Sequence, residues 1–140
     1  QMETEKRFSR HTMQSVTSTL SCVKDKTILE RQNILLYSNK LTEALCDAIM
    51  MTEDTLYLFQ MTIGKKHNIK HQTLEKYHKY AKENGVKTCL VFLVPDQVLF
   101  TLPESELAEI PEGVFVVKAE LQPRNYFTES LGTGTANNKE

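Results

Sequence analysis

Two apolar runs, residues 45–52 (LCDAIMMT) and 55–62 (TLYLFQMT), lie either side of the dipeptide Glu53-Asp54 and leave this chain few folds to choose from. Runs of this length and apolar content, bounded by a polar turn, read as the two strands of a hairpin. A hairpin commits both to neighbouring antiparallel places in one sheet. Between its ends each run is interrupted by one strongly polar residue, Asp47 in the first and Gln60 in the second. A carboxylate inside an apolar strand is costly to bury unless a partner, a metal or a cleft receives it. With a two-residue turn Thr52 faces Thr55 and the paired indices keep a constant sum. Asp47 then falls opposite Gln60, with side chains about 5 Å apart, and Thr62 shares the face of Gln60 because strand side chains repeat every two residues. A three-residue loop would shift this register by one, and Glu-Asp is not a strong hairpin dipeptide. Two readings stay open. In one, Asp47 is a strand-end residue facing solvent with Gln60 as its hydrogen-bonding neighbour. In the other, Asp47 and Gln60 are ligands of a divalent metal, since hard cations take carboxylate and amide oxygens.

Beyond the hairpin, Gly64 breaks the strand pattern, and Asn68 is placed to cap a helix over residues 69–84. Its inner stripe is Leu74, Tyr77 and Ala81, and Asn84-Gly85 is a helix stop. Residues 88–94, TCLVFLV, form a continuous apolar run before Pro95, the mark of a central strand covered on both faces. Residues 33–38 read as a short strand, and 98–102 and 114–121 as two more, with a single helical turn over 105–110 between Pro103 and Pro111. Upstream, Met13, Val16, Leu20 and Val23 follow helical spacing and predict a helix over 6–23. After Pro123 the chain turns polar. The expected organisation is one α/β domain over residues 1–122, a mixed β-sheet flanked by helices, followed by a polar tail over 123–140.

Seventeen Lys and Arg against eighteen Asp and Glu leave a net charge of −1, so no global basic field points to nucleic acid. The basic signal is local. Between Gly64 and Tyr80, Lys65, Lys66, Lys70, Lys76 and Lys79 stand against Glu75 alone, with His67, His71 and His78 interleaved. Such density suits phosphate contacts; Lys76 and Lys79 read rather as a solvated helix face. His67 and His71 are spaced to share a helix face, but no third metal ligand lies near them in sequence. Cys22, Cys46 and Cys89 lie in or beside apolar runs without metal-site spacing and read as reduced core residues of an intracellular domain. No apolar run is long enough to span a bilayer, no secretory leader is visible, and a start at Gln1 suggests a piece of something longer.

The segment YLFQMTIGKKHNIKHQTLEKY, followed by KTCLVFLVPDQVLF, resembles the nuclease-like domain of Crinkler effectors and retrotransposon hot spot proteins, within the restriction-endonuclease-like PD-(D/E)xK superfamily. The resemblance covers residues 47–100. It implies a restriction-endonuclease-like fold with an α-β-β-β-α-β core plus extra C-terminal strands, and metal-dependent cleavage of DNA phosphodiesters with magnesium as the cofactor. It also implies Asp47 and Gln60 as the metal ligands, with Glu30 or Glu43 as a further one, Lys65 (or Lys66 or Lys70) reaching back in place of the catalytic lysine, and Lys65, Lys66, His67 and Lys70 as nucleic-acid contacts. A nuclear location follows, in the organism's own cells or a host's, beside an NTPase module or a protein partner. This sequence departs from the pattern at two places: Gln60 stands where the second acidic ligand belongs, and Thr62 where the lysine belongs. The alternative is therefore a catalytically degenerate module that binds nucleic acid or a protein.

Overall fold

The computed structural model describes residues 2–3, 12–40, 45–62, 68–95 and 100–121. Along the chain these form β1 (Met2–Glu3), β2 (Thr12–Val16), α1 (Thr19–Lys24), a 3-10 turn (Thr27–Glu30), β3 (Ile34–Ser38), β4 (Ala48–Met51), β5 (Thr55–Met61), α2 (His71–Glu83), β6 (Lys87–Pro95), α3 (Glu104–Ala108) and β7 (Val114–Leu121). The fold is mixed α/β. One seven-stranded sheet runs in the order β1-β7-β6-β5-β4-β3-β2. Its centre, β3-β4-β5, is an antiparallel meander, and the remaining neighbours pair in parallel. From α1 to β6 the main elements follow the predicted order of helix, three strands, helix, strand.

The hairpin register is the predicted one, with Ala48, Ile49, Met50 and Met51 opposite Phe59, Leu58, Tyr57 and Leu56. Glu53-Asp54 serves as its turn with neither residue at positive φ, held by hydrogen bonds from the flanking threonines. Thr52 N–H donates to the Thr55 carbonyl at 2.9 Å, Thr55 N–H to Thr52 Oγ1 at 3.2 Å, and both threonine hydroxyls reach Asp54 Oδ1, at 3.3 Å and 2.9 Å. A tight hairpin cannot join the parallel strands β5 and β6, and α2 supplies the crossover.

Alternation along the strands gives the sheet two apolar faces. On the first, Leu36, Ile49, Leu56, Leu58, Leu90, Phe92, Val94 and Val116 pack against Cys22 and Val23 of α1, Ile28 of the 3-10 turn, and Leu74, Tyr77 and Ala81 of α2. The predicted inner stripe of α2 is thus its buried stripe. Two buried polar contacts fasten this layer: Thr19 Oγ1 to Tyr77 OH at 2.7 Å, and His78 Nδ1 to Thr88 Oγ1 at 2.8 Å. The second face is built from strand residues, among them Ala48, Met50, Phe59, Val91 and Val117. The exposed Met13, Tyr37, Met61 and Phe115 share it through their strand register. All three cysteines are buried and form no disulfide among the described residues, as expected of core residues. No helix among the described residues is long and apolar enough to cross a membrane.

Four expectations are corrected. Residues 12–16 form a strand beside β3, and the helix expected over 6–23 is confined to Thr19–Lys24 within the described part. Met13, which the helical stripe would bury, is 61% exposed. The Ser/Thr-rich stretch has weak helix propensity, and Ser18 caps the short helix by accepting from Ser21 N–H at 3.3 Å. Lys70 replaces Asn68 at the start of α2, with no side-chain cap. β4 begins at Ala48 rather than residue 45 because Leu45 takes a left-handed φ of 78°, which no strand accommodates. Residues 100–102 carry no strand; Phe100 instead packs its ring 4.9 Å from that of Phe92. Residues 96–99 and the polar tail lie outside the described residues.

Candidate functional site

The parallel strands β5, β6 and β7 end at Met61, Pro95 and Leu121, and β4, running the other way, begins at the same end of the sheet. Carboxyl ends of parallel strands are where α/β sheets most often receive ligands. Asp47 and Gln60 both belong to this end. Asp47 sits immediately before β4, two residues after the left-handed and 5% exposed Leu45. Left-handed geometry costs an L-leucine about 1–2 kcal/mol, and burial of its side chain offsets that cost.

Asp47 is exposed, as the solvent-facing reading expects, yet it has a defined set of partners. Its N–H donates to the Phe59 carbonyl at 2.8 Å, and its carbonyl accepts from Ser38 N–H at 3.3 Å. Its carboxylate Oδ2 accepts from Met61 N–H at 2.9 Å. On β5, Asp47 therefore straddles Gln60, which is the neighbourhood the hairpin arithmetic requires. Gln60 turns its amide along its own strand, with Nε2 donating to the Met61 carbonyl at 2.9 Å. The two side chains meet at Met61's backbone rather than each other. Thr62 is buried at 6% exposure, its N–H donating to the Leu93 carbonyl at 3.0 Å. Among the described residues no hydrogen bond links Thr62 to Asp47 or Gln60. The three expected cluster members thus share an end of the sheet without forming one polar network.

Asp47 Oδ1 and Gln60 Oε1 are the atoms that remain for a cation, one anionic oxygen and one neutral. That is a thin donor set for magnesium, which is usually held through one or two carboxylates together with substrate phosphates. Of the expected nucleic-acid contacts, Lys65, Lys66 and His67 lie outside the described residues. Lys70 is exposed at the start of α2, and Lys76, Lys79 and Lys82 are exposed along it.

A second constellation is made by residues that the sequence did not connect. His71, at the first turn of α2, meets α3: Nε2 lies 3.1 Å from Glu106 Oε1 and 4.0 Å from Oε1 of Glu109, which follows α3. Glu106 Oε1 also accepts from Ile69 N–H at 2.8 Å. The three residues offer one ligand atom each, all within 4.8 Å of one another, and so could hold a metal ion. His71 Nδ1 is buried with no hydrogen-bond partner, and Nε2 is the ring atom turned to Glu106. His71 had been spaced with His67 as a ligand pair, whereas the ligands it meets come from thirty-five and thirty-eight residues downstream. Comparison of the chain with protein-family models, with curated proteins and with solved structures gives no match.

Proposed function

We propose that this chain is a restriction-endonuclease-like nucleic-acid-binding domain of the Crinkler and retrotransposon hot spot type, kept for docking to the phosphate backbone rather than for cutting it. One observation carries the reading: Asp47 Oδ2 and Gln60 Nε2 are both engaged by the backbone of Met61. Those are the two positions that a nuclease of this type would use for its metal. Here one is neutral, and both fasten the end of a strand. Hydrolysis of a phosphodiester needs a cation that activates water and stabilises charge on phosphorus, and a single exposed carboxylate holds such a cation weakly. Docking needs only basic side chains and a scaffold. The dense cationic stretch from Lys65 to Lys70 follows β5 directly in the chain, and the exposed lysines of α2 continue from it. The order from α1 to β6 supports the scaffold assignment, and fold alone does not assign chemistry.

A specific observation favours the second reading, magnesium-dependent cleavage. Asp47 is placed astride Gln60 with Oδ1 and Oε1 left over, the arrangement in which a substrate phosphate would complete a cation's shell. The test is a nicking assay on supercoiled plasmid with magnesium or manganese, comparing the parent with Asp47→Asn, beside a gel shift in chelator. Docking predicts no nicking and a salt-sensitive shift that survives Asp47→Asn and weakens in Lys65→Ala/Lys66→Ala. Metal-dependent nicking abolished by Asp47→Asn would establish the second reading. Neither nicking nor a shift would remove both and leave the protein-docking alternative.

A further inference from the structure

We infer that His71, Glu106 and Glu109 form a binding site for a divalent transition-metal ion of the zinc type. The site is separate from the Asp47 and Gln60 pair and independent of any action on nucleic acid. Its donor set is the first argument. One imidazole nitrogen and two carboxylate oxygens come within 4.8 Å of one another; the 3.1 Å between His71 Nε2 and Glu106 Oε1 suits neighbouring ligands of one small cation, and the exposed Glu109, at 4.0 Å, closes on it by a side-chain rotation. An imidazole selects zinc, nickel, copper or iron over magnesium and calcium, which prefer an all-oxygen shell.

Its support is the second. Glu106 is held before any ion arrives, because the Ile69 backbone N–H fixes Oε1 at 2.8 Å. His71 is set in the first turn of a thirteen-residue helix. The side chains of His71 and Glu106 are only 19% and 18% exposed, whereas that of Glu109 is 63% exposed. The site is therefore shielded by His71 and Glu106 and open to solvent at Glu109.

The consequence is mechanical as well as chemical. An ion here joins α2 to α3, a five-residue helix none of whose residues is buried.

The experiment titrates the full chain with zinc chloride by calorimetry, without nucleic acid, and repeats it with cobalt(II) for its visible absorption. One equivalent of zinc is expected to bind, to raise the melting temperature, and to bind about tenfold or more weakly in Glu109→Gln and in His71→Ala. Glu109→Gln tests the site without threatening the fold, since that side chain is mostly in solvent. Cobalt should show bands of nitrogen and oxygen ligation only. Three results would overturn the site: no binding at millimolar zinc, binding unchanged in Glu109→Gln, or a thiolate charge-transfer band that moves the ion to a cysteine. Loss of binding in Asp47→Asn but not in Glu109→Gln would equally overturn it, by moving the ion to the strand end.

Discussion

Asp47 holds Met61 across the end of the sheet: its carboxylate Oδ2 lies 2.9 Å from the Met61 N–H, one step beyond the last residue pair of the β4–β5 ladder. A side chain thus takes over where a strand's own carbonyls have run out, and β5 keeps its direction up to Thr62. Asn keeps an acceptor in that place and Ala does not. Asp47→Ala should lower unfolding free energy by about 1 kcal/mol, the usual net worth of one hydrogen bond, and Asp47→Asn by less. Urea denaturation of the three proteins measures this. Equal stability of all three would mean that solvent satisfies the Met61 N–H as well as the carboxylate does.

Thr19 and Tyr77 tie α1 to α2 beneath the sheet through a 2.7 Å contact between hydroxyls, both residues at 0% exposure. Tyr77→Phe keeps the ring volume and deletes the hydroxyl, so packing is unchanged and only the polar link is lost. A loss of about 1–2 kcal/mol is expected. The Thr19→Val/Tyr77→Phe double variant should lose less than the sum of its singles, because either single already breaks the contact. Strict additivity in that cycle would show that the contact contributes nothing of its own.

How much of this was legible in the chain depends on the range of the interaction. The hairpin register could be read because the side-chain period of two and a two-residue turn fix it locally, and α2 because Leu74, Tyr77 and Ala81 mark one face of a helix. β2 could not. Met13 and Val16 are three apart, a spacing that a helix and a strand both permit, and the decision is made by pairing with β3 some twenty residues on. Asp47 stands out in the sequence as the polar residue to explain, but its partner is a backbone N–H, a group that has no residue letter. The meeting of His71 with Glu106 and Glu109 was illegible for a related reason: the residues sit on separate elements, and nothing in the intervening chain couples them.

His78 is nearly buried, and both ring nitrogens are in use, Nδ1 with Thr88 Oγ1 at 2.8 Å and Nε2 with the Glu112 carbonyl at 3.2 Å. It joins α2 to β6 and to the turn before β7. That turn needs Gly113, whose φ is +94° and whose absent Cβ would lie 3.6 Å from the His78 ring. His78→Ala strands the fully buried Thr88 hydroxyl and empties the space beneath Gly113. It should destabilise by about 2–4 kcal/mol, cavity and lost hydrogen bonds together. Gly113→Ala should cost about 1 kcal/mol or more through its backbone alone. Thermal denaturation ranks them, and His78→Ala falling within the range of a surface substitution would remove His78 from the framework.

Asp54 links the hairpin to pH. Its carboxyl lies below its ordinary value of 3.8, chiefly because the Thr55 hydroxyl donates to it, with smaller contributions from the Thr52 hydroxyl, the Lys87 charge and the turn's own backbone, against a partial opposing effect of desolvation. A lowered carboxyl value means that folding favours the ionised form. The stability it contributes is complete above the unfolded value and is lost as pH falls through the folded one. Asp54→Asn should therefore flatten this part of the acid limb while leaving the neutral region little changed. Thr55→Val should return the Asp54 titration further toward its ordinary value than Thr52→Val does, and only Lys87→Ala should act in a way that added salt abolishes. Carboxyl titration followed by NMR on each variant gives the order directly. A Thr55→Val titration superimposed on the parent's would show that the turn is held by its backbone bonds alone.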